Sequence, residues 1–514
     1  MTSTRFARIH RFRHWRVLLA GLVFLAATAP TAAAELSPRQ APEGDLDRQL
    51  AAALRLAGFT GRIDSSLIAR LGRPLDHRLA DLGRQLFFDP IGGLHDDNTC
   101  AGCHAPASGF GDTQSIAIGV QNNRHVGPGR TGPRNQRRTP TVVNTAFYPK
   151  LMWNGRFSAP SGNPFDNTAG YLFPAPEGTT KFPPNDPVVR HLLIAQAHMP
   201  PTELNEAAGF TGTRGTISPR FDAFDDGLGG QVPMPDVTGF RNEPIRAEVA
   251  RRLNGVPAYV QLFGGVFPEV RGGAPITPLM FAQAIAEFEF TLVRADAPID
   301  RFARGQHASM SSPEKRGALL FFGKANCVAC HAVAGASNEM FSDFSNRTIG
   351  VPQIAPYFGV GQGNTVFDGA GEDEDFGLEQ VTGSAADRYR FRTSPLRNVA
   401  LQPTFFHNGA FTRLEDAIRQ HLDVPASLAR YSPKSAGVAV DLQSRRGPVD
   451  PVLQRLDPLL STPLRLTGNE FDDLLQFVGK SLLDPRASAD AFCLKVPKSL
   501  PSTMPPLQFE GCRH

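Results

Sequence analysis

The sequence has no long apolar run outside its N-terminal segment, little net charge, six cysteines and two tryptophans in 514 residues. A helix that crosses a bilayer needs about 20 apolar residues, so no membrane-spanning helix is expected in the rest of the chain. The formal net charge is +4, and removal of the five arginines in residues 1–34 would leave −1. This balance gives no indication of a nucleic-acid partner.

The N-terminal segment, residues 1–34, has the three-part layout of a secretory signal peptide. Five arginines precede an apolar run at residues 17–27, and three alanines at residues 32–34 form a small-residue cleavage site. The apolar run is shorter than the roughly 20 residues that a membrane-spanning helix needs. We therefore predict that the protein is exported and its signal peptide cleaved. The alternative is an uncleaved N-terminal anchor.

The length of the chain is sufficient for two or three domains. We predict an N-terminal extension at residues 35–78, a first domain at 79–295, a second domain at 296–485 and a C-terminal tail at 486–514. Within the first domain, residues 157–195 are rich in proline, glycine and asparagine, which predicts a loop insertion at the surface. The acid run at residues 372–375 is interpreted as a solvated loop.

The six cysteines fall into three pairs. Cys493 and Cys512 lie near the C-terminus, and in an oxidising compartment we expect them to form a disulfide. The other four belong to two C-x-x-C-H motifs, which comprise Cys100, Cys103 and His104 in the first and Cys327, Cys330 and His331 in the second. This spacing lets two thiols attach to the two haem vinyl groups while the adjacent histidine becomes an axial ligand. A thioredoxin-like redox pair and half a zinc site are the alternatives.

The residues before the two motifs are also repeated. Residues 83–88 read GRQLFF and residues 317–322 read GALLFF, and each ends a stretch with helical apolar spacing. A repeated helix before each motif predicts two related domains. The expected fold is therefore mainly α, with two cytochrome c-like haem domains and long irregular loops.

An ordered set of segments resembles the bacterial di-haem cytochrome c peroxidases and the related MauG-type enzymes. Around the two haem motifs, the matching segments are residues 86–90 (LFFDP), 138–144 (RTPTVVN), 153–156 (WNGR), 396–400 (LRNVA) and 406–409 (FHNG). The resemblance implies two covalently bound haem c groups and a periplasmic enzyme. It implies reduction of hydrogen peroxide with electrons from a small redox protein or from a protein substrate.

The resemblance also assigns catalytic residues. Trp153, the only tryptophan beyond residues 1–34, matches the family's tryptophan between the haems, with an electron-relay role; an ordinary buried aromatic is the alternative. Gln196 and Glu206 match the glutamine and the catalytic glutamate of the distal segment. A carboxylate over an open haem face can move the peroxide proton between oxygens. Glu203 is the second candidate, and a solvated surface acid is the alternative for either. His198 is interpreted as a packing or surface residue.

Two positions depart from the peroxidase pattern. Val120 occupies the position of a histidine that caps the peroxidatic haem in classical members, so we expect an open first haem; His125 is the alternative cap. His421 lies where the family's second axial ligand of the other haem is expected. We therefore predict that His331 and His421 both bind the second iron, with Met340 or a core histidine as alternatives.

The family's interdomain calcium is left open. The position of its asparagine ligand corresponds to Arg138 here, with Asn135 nearby, and the main-chain positions correspond to Gln402 and Thr404. Two other functions also stay open. One is a di-haem electron-transfer cytochrome without peroxidase activity, and the other is a haem dioxygenase acting on an organic substrate.

Overall fold

The computed structural model describes residues 43–512 apart from 217–221, 223, 226 and 357–366, so the predicted signal peptide lies outside the described residues. The described chain is mainly helical, as the sequence predicted. Its α-helices are α1 Glu43–Leu56, α2 Ile63–Leu71, α3 His77–Phe88, α4 Cys100–Cys103, α5 Gly178–Lys181, α6 Leu192–Gln196, α7 Asn242–Asn254, α8 Pro257–Val266, α9 Pro268–Arg271, α10 Pro278–Phe290, α11 Pro298–Ala303, α12 Ser312–Phe322, α13 Glu379–Thr382, α14 Leu414–Leu422, α15 Val424–Arg430, α16 Asp450–Leu453, α17 Gly468–Gln476 and α18 Ala489–Cys493.

The β-structure consists of two-residue strands that tie distant loops together. The strands are β1 His125–Val126, β2 Lys150–Leu151, β3 Phe157–Ser158, β4 Asn346–Arg347, β5 Ile354–Ala355, β6 Phe391–Arg392, β7 Arg445–Arg446 and β8 Gln508–Phe509. Strands β2 and β3, β4 and β6, and β5 and β7 pair antiparallel. The parallel pair β1 and β8 joins the C-terminal tail to the segment that follows the first haem motif.

The helix before each haem motif crosses a later helix at a glycine. In α3, a Cβ on Gly83 would lie 1.8 Å from the carbonyl oxygen of Ala284 in α10. In α12, a Cβ on Gly317 would lie 2.0 Å from the carbonyl oxygen of Asp473 in α17. Any larger side chain at these positions would push the two helices apart. The sequence repeat therefore corresponds to a repeated close helix crossing.

Each terminal segment packs against the haem half that is distant in sequence. Helix α1 contributes Leu50 and Leu54 to the hydrophobic core that contains Phe321 of α12. The C-terminal tail contributes Phe492 and Phe509 to the core around α3 and α10. The two tightly packed halves are therefore completed by segments from opposite ends of the chain.

Two loop predictions are only partly correct. Within residues 157–195, Phe157, Tyr171 and Phe182 are buried in the first core, so the insertion is not simply a surface loop. In the acid run, Asp375 is also buried, because Arg137 binds it with two hydrogen bonds of 2.7 Å. In the first segment, burial of aromatic side chains offsets the cost of removing the chain from water. In the second, the ion pair with Arg137 offsets the cost of burying the carboxylate.

Among the residues described, no helix combines the length and apolar character that crossing a bilayer requires.

Two candidate haem sites

The first C-x-x-C-H motif opens onto the large cavity of the protein. Cys100, Cys103 and His104 line a cavity of about 950 Å³. The motif begins as the single-turn helix α4, whose N-terminus is capped by Thr99: its hydroxyl oxygen accepts the N–H of Gly102 at 3.1 Å. The turn directs two thiols and one imidazole to the same space, as attachment of a haem requires.

The chemistry of this donor set fits a haem better than the alternatives. Burial raises the pKa of Cys100 to about 12 and that of Cys103 to about 11, whereas a reactive thioredoxin-like pair has a lowered thiol pKa. Burial also lowers the pKa of His104 to about 4, so the imidazole is neutral. Its Nδ1 lies 3.3 Å from the carbonyl oxygen of Phe110, which leaves Nε2 for a metal. Among the described residues, no group of three or more histidine, cysteine or acidic side chains is arranged to hold a metal ion by itself.

The size and lining of the cavity also fit a large planar cofactor. Small-molecule and cofactor cavities reach about 1,000 Å³, and this one is near that limit. Apolar side chains from both crossing helices form one wall, with Leu86 and Phe87 from α3 and Phe281 and Ile285 from α10. The cavity therefore fits the first haem.

The predicted distal residues lie together on the cavity wall. Gln196 ends α6, and Glu203 and Glu206 belong to the following turns, where residues Leu204–Ala208 form one turn of π-helix. Asn98, directly before the haem motif, donates a 2.6 Å hydrogen bond to the carbonyl oxygen of Glu206. The distal segment is thus fastened to the motif itself.

Glu206 has the electrostatics of a proton-transfer group. Burial raises the pKa of Glu206 to about 7, the nearby Glu203 raises it further, and Arg156 opposes both. Arg156 lies 3.6 Å from Glu203, so the second carboxylate has a charged partner. The two candidates therefore differ: Glu203 is paired, and Glu206 titrates near neutral pH, where general acid–base groups work best.

Another carboxyl group in the cavity escaped the sequence analysis. Glu289 of α10 is buried, lines the cavity and accepts a 3.2 Å hydrogen bond from the hydroxyl of Thr145. Burial raises its pKa to about 8, so it is mostly protonated at neutral pH. The sequence contains one hint of a site residue here, an acidic residue within the apolar sequence of α10. Glu287, two residues earlier, fits the same description but binds Arg73 instead.

Trp153 is buried between the cavity and the second half of the chain. Its Nε1 donates a 2.7 Å hydrogen bond to the carbonyl oxygen of Arg138, and its own carbonyl oxygen accepts the N–H of Arg392 at 2.7 Å. Two residues after Arg392, the backbone of Ser394 is hydrogen-bonded to His331 of the second motif. Trp153 therefore lines the first site and is connected to the second through one short segment.

The two residues expected near the open face of the first haem, Val120 and His125, do not line the cavity. Val120 is buried in a small cluster with Phe210, and its N–H bonds the carbonyl oxygen of Asn205 at 3.2 Å. His125 lies in β1, paired with Gln508 of the tail, and is not among the residues that line the cavity. Of the histidines described, His104 alone lines this cavity. His198, by contrast, is buried against the edge of the Phe182 ring, consistent with a packing role.

The second C-x-x-C-H motif faces another histidine. Cys327–Ala329 form a 3-10 turn, and Cys330 and His331 follow. His421 of α14 has its ring centre 6.3 Å from that of His331. Nδ1 of His331 lies 3.0 Å from the carbonyl oxygen of Phe341, and Nδ1 of His421 lies 2.9 Å from that of Ala417. In both rings Nδ1 is therefore held by a backbone carbonyl, which orients the ring.

The spacing of these two rings fits one metal ion between them. By analogy with zinc, an imidazole nitrogen lies about 2.0 Å from a bound metal, and about 1.1 Å from its own ring centre, so two opposed ligands have ring centres about 6.2 Å apart. The observed distance is 6.3 Å. Burial lowers the pKa of both histidines, that of His331 to about 4, so both are neutral as ligands must be. Met340, the alternative, is fully buried in the core of the first half.

At the position expected for calcium, the structure has a guanidinium group. Arg138 is buried and donates a hydrogen bond to the side-chain oxygen of Gln402. The Oδ1 atom of Asn135 is buried without a hydrogen-bond partner. The hydroxyl of Thr404 bonds the carbonyl oxygen of Gln114 at 2.9 Å. Whether calcium binds stays a prediction.

The C-terminal cysteine pair is confirmed. Cys493 and Cys512 form a disulfide that closes the tail over a separation of 19 residues.

Comparison with known proteins identifies a family for the first half of the chain. Residues 77–308 match the family model described as di-haem cytochrome c peroxidase. The methylamine utilization protein MauG of Methylorubrum extorquens is 26% identical over 351 residues, which cover 68% of this chain and 70% of the relative. The cytochrome c551 peroxidase of Pseudomonas aeruginosa is 24% identical over 347 residues, 68% of this chain and 72% of the relative.

A solved structure shares the fold. The crystal structure of a MauG-like protein associated with microbial copper homeostasis aligns with a TM-score of 0.50 and 21% identity, covering 80% of this chain and 91% of that chain. The predicted family and the mainly helical fold are confirmed. Over residues 77–308 this chain is similar to the di-haem cytochrome c peroxidase family, and its relatives include MauG and cytochrome c peroxidase.

Proposed function

We propose that this protein is a periplasmic di-haem c-type peroxidase that reduces hydrogen peroxide at its first site and receives electrons through its second. The observation that carries the proposal is the asymmetry of the two sites. The cavity of the first motif contains His104 as its only described histidine, together with Glu203 and Glu206, whereas His331 of the second motif faces His421. A haem with a free face binds peroxide, and one with two strong ligands transfers electrons.

The residues of each motif would hold one haem. Cys100 and Cys103 would carry the first through thioether bonds, with Nε2 of His104 on its iron. When bound, this haem supplies the iron that accepts the peroxide oxygen. The second would be carried by the thiols of its motif, with His331 and His421 as axial ligands. Neutral imidazoles with the Nδ1 position already bonded to a carbonyl support this assignment.

Glu206 would move the proton that O–O cleavage requires. In its carboxylate form it would take a proton from one peroxide oxygen and return it to the other, which would leave as water. Gln196, on the same wall, would orient the peroxide by donating from its side-chain amide. The raised pKa of Glu206, caused by burial and by Glu203, supports this role, because both protonation states are populated near neutral pH.

Trp153 would relay electrons between the two sites. It lines the first cavity, and its backbone bonds Arg392, which is followed two residues later by the Ser394 backbone contact of His331. A small redox protein or an oxidisable protein substrate would provide the electrons. A second imidazole on the second iron donates more electron density than the methionine of standard peroxidases, so we expect a low potential there. This favours a MauG-like electron source over a high-potential donor.

The distinguishing experiment is electron paramagnetic resonance of the resting ferric protein. We expect one high-spin haem and one low-spin haem. His421→Met should change only the low-spin signal. Two low-spin signals in the unmodified protein would contradict the proposal and favour a simple electron carrier.

Turnover tests the role of Glu206. Glu206→Gln preserves shape and removes the titratable group, so peroxide reduction should fall by about 100- to 10,000-fold with haem content unchanged. Glu203→Gln is the matched control on the same wall and should keep most of the activity. Equal losses of activity in the two variants would show that the assignment of proton transfer to Glu206 is wrong. Oxygen consumption without peroxide or reductant would indicate dioxygenase chemistry instead.

A further inference from the structure

Three of the six buried arginines of the described chain have an acidic partner. Arg397 binds Asp300 with two hydrogen bonds of 2.7 Å, Arg246 binds Glu177, and Arg134 binds Asp441. Such pairing is expected, because an unpaired charge removed from water is costly.

Arg138 and Arg392 are exceptions. Each is only 4% exposed, and neither has a carboxylate oxygen within 4.0 Å among the described residues. Arg138 donates to the side-chain oxygen of Gln402, and its Nε has no partner. Arg392 donates only to backbone carbonyls, from Nε to Met152 at 2.9 Å and from Nη1 to Thr393 at 3.3 Å. Burial lowers the pKa of each to about 10, which reflects the missing counter-charge.

Both guanidinium groups line the cavity of the first haem motif. Arg130 is a useful contrast: it also lacks a carboxylate, but it donates four hydrogen bonds to oxygen atoms and does not line the cavity. Asp112 opposes the lowering of the Arg138 pKa but forms no ion pair with it. Two guanidinium groups without a paired carboxylate at one cavity therefore point to an anionic ligand within it. A guanidinium group recognises carboxylates through a planar fork of N–H donors.

We propose that Arg138 and Arg392 bind the two propionate carboxylates of the haem attached at Cys100 and Cys103. This inference rests on the proposed di-haem function, because a haem supplies two carboxylates on one molecule. The two arginines belong to different parts of the chain: Arg138 precedes Trp153, and Arg392 lies in β6. Binding of one ligand by both would fasten these segments around the haem.

The assignment has a consequence for Trp153. The carbonyl oxygen of Arg138 accepts its Nε1–H at 2.7 Å, and the guanidinium carbon of Arg392 lies 6.0 Å from the centre of its ring. The same two residues would therefore contact both the haem carboxylates and the relay tryptophan. Each positive charge also favours the reduced haem, because it stabilises the added electron.

The test is a potentiometric titration of the first haem followed by its high-spin absorption between pH 5.5 and 8. In Arg138→Gln and Arg392→Gln the potential should become more negative. It should also depend more strongly on pH, because a propionate without its counter-ion takes up a proton on reduction. Arg138→Lys and Arg392→Lys keep the charge and should recover part of the potential, which covers the case that a glutamine variant does not fold.

The double variant Arg137→Gln/Asp375→Asn is the matched control. It removes a charge pair from the same wall without changing the net charge and should leave the potential and its pH dependence near the original values. Unchanged potentials in both glutamine variants would overturn the proposal. The proposal would also be overturned if added acetate or phosphate shifted the potential of the unmodified protein by as much as the glutamine substitutions do. The arginines would then bind a free anion. Mass measurement separates the two proposals: fewer than two covalent haems would contradict the di-haem function itself.

Discussion

The two C-x-x-C-H segments have the same spacing and the same neutral, buried imidazole, but their surroundings differ. The first opens onto a cavity of about 950 Å³ that is lined by five acidic residues, Asp89, Glu203, Glu206, Glu289 and Asp368. The second has a histidine ring 6.3 Å from its own and the aromatic ring of Phe406 stacked against that partner. The motif therefore supplies the residues that would hold a haem, and the opposite wall would determine what that haem can do.

This difference arises from the segments that follow each motif. After the first, the chain returns with Val120 buried in an apolar cluster and a distal turn that ends in Glu206. After the second, α14 presents His421 with its Nδ1 bonded to the preceding turn of the same helix. The first motif thus faces a wall with acid–base residues, and the second faces a histidine that can bind a metal. This difference supports peroxide chemistry at the first site and electron transfer at the second.

The largest expected effect is the loss of one haem at a time. Cys100→Ser/Cys103→Ser and Cys327→Ser/Cys330→Ser should each leave one covalent haem, because each removes one pair of attachment thiols. The first variant should retain only the low-spin signal and the second only the high-spin signal. Both should lose peroxide turnover. Mass spectrometry and a haem stain measure the attachment, and two haems remaining in either variant would contradict the assignment.

The next effect is the pH dependence of turnover. The folded pKa of Glu206 is raised to about 7, so below that pH its carboxyl is protonated and cannot take the peroxide proton. Turnover should therefore rise as the pH increases through about 7 and then level off. Because the nearby Glu203 contributes to the raised pKa, Glu203→Gln should move the rise to lower pH. A profile that is flat in the unmodified protein between pH 5 and 8 would show that another group transfers the proton.

The third effect separates the stabilities of the two halves. The disulfide between Cys493 and Cys512 closes a loop of 19 residues in the tail that packs on the first core. Replacing both cysteines by serine should lower the free energy of unfolding by about 3 kcal/mol. The loss should be concentrated in the first half. Denaturant unfolding followed separately at the two haem spectra measures this, and an equal loss at both sites would show that the halves unfold as one unit.

The smallest effect concerns Glu289 and its neighbour Glu287. The pKa of Glu289 is raised to about 8 in the folded protein, so its favourable contribution is complete at low pH and is lost as the pH rises through about 8. Glu289→Gln should therefore raise the free energy of unfolding, relative to the unmodified protein, by about 1 kcal/mol or more beyond its effect at pH 5 when both are measured at pH 8. Glu287→Gln is the contrast and should destabilise, because it breaks the pair with Arg73. Melting temperatures at several pH values measure both, and a pH-independent difference would contradict the burial of a neutral Glu289.

Several elements of this protein could be predicted from local patterns. The helices before the two motifs follow from apolar spacing, and the disulfide follows from two cysteines left outside the motifs. The position of His421 on the same helical face as Ala417 also followed from spacing along the chain. Other features depended on contacts between distant segments: the insertion at 157–195 is polar in composition, yet Tyr171 and Phe182 are buried, because α10 and α6 offer an apolar surface that no local pattern shows.

By itself the sequence showed the resemblance to the family and the two C-x-x-C-H motifs, because each motif consists of five adjacent residues. It also predicted unequal second ligands, through Val120 and His421, and this stays a prediction. The tertiary structure alone decided which carboxyl groups share the first cavity, that Glu289 faces it while Glu287 is paired, and that Arg138 and Arg392 lack acidic partners. The physical reason is that burial and charge pairing depend on neighbours contributed by remote parts of the chain, and these set the pKa values and the ligand chemistry of the site.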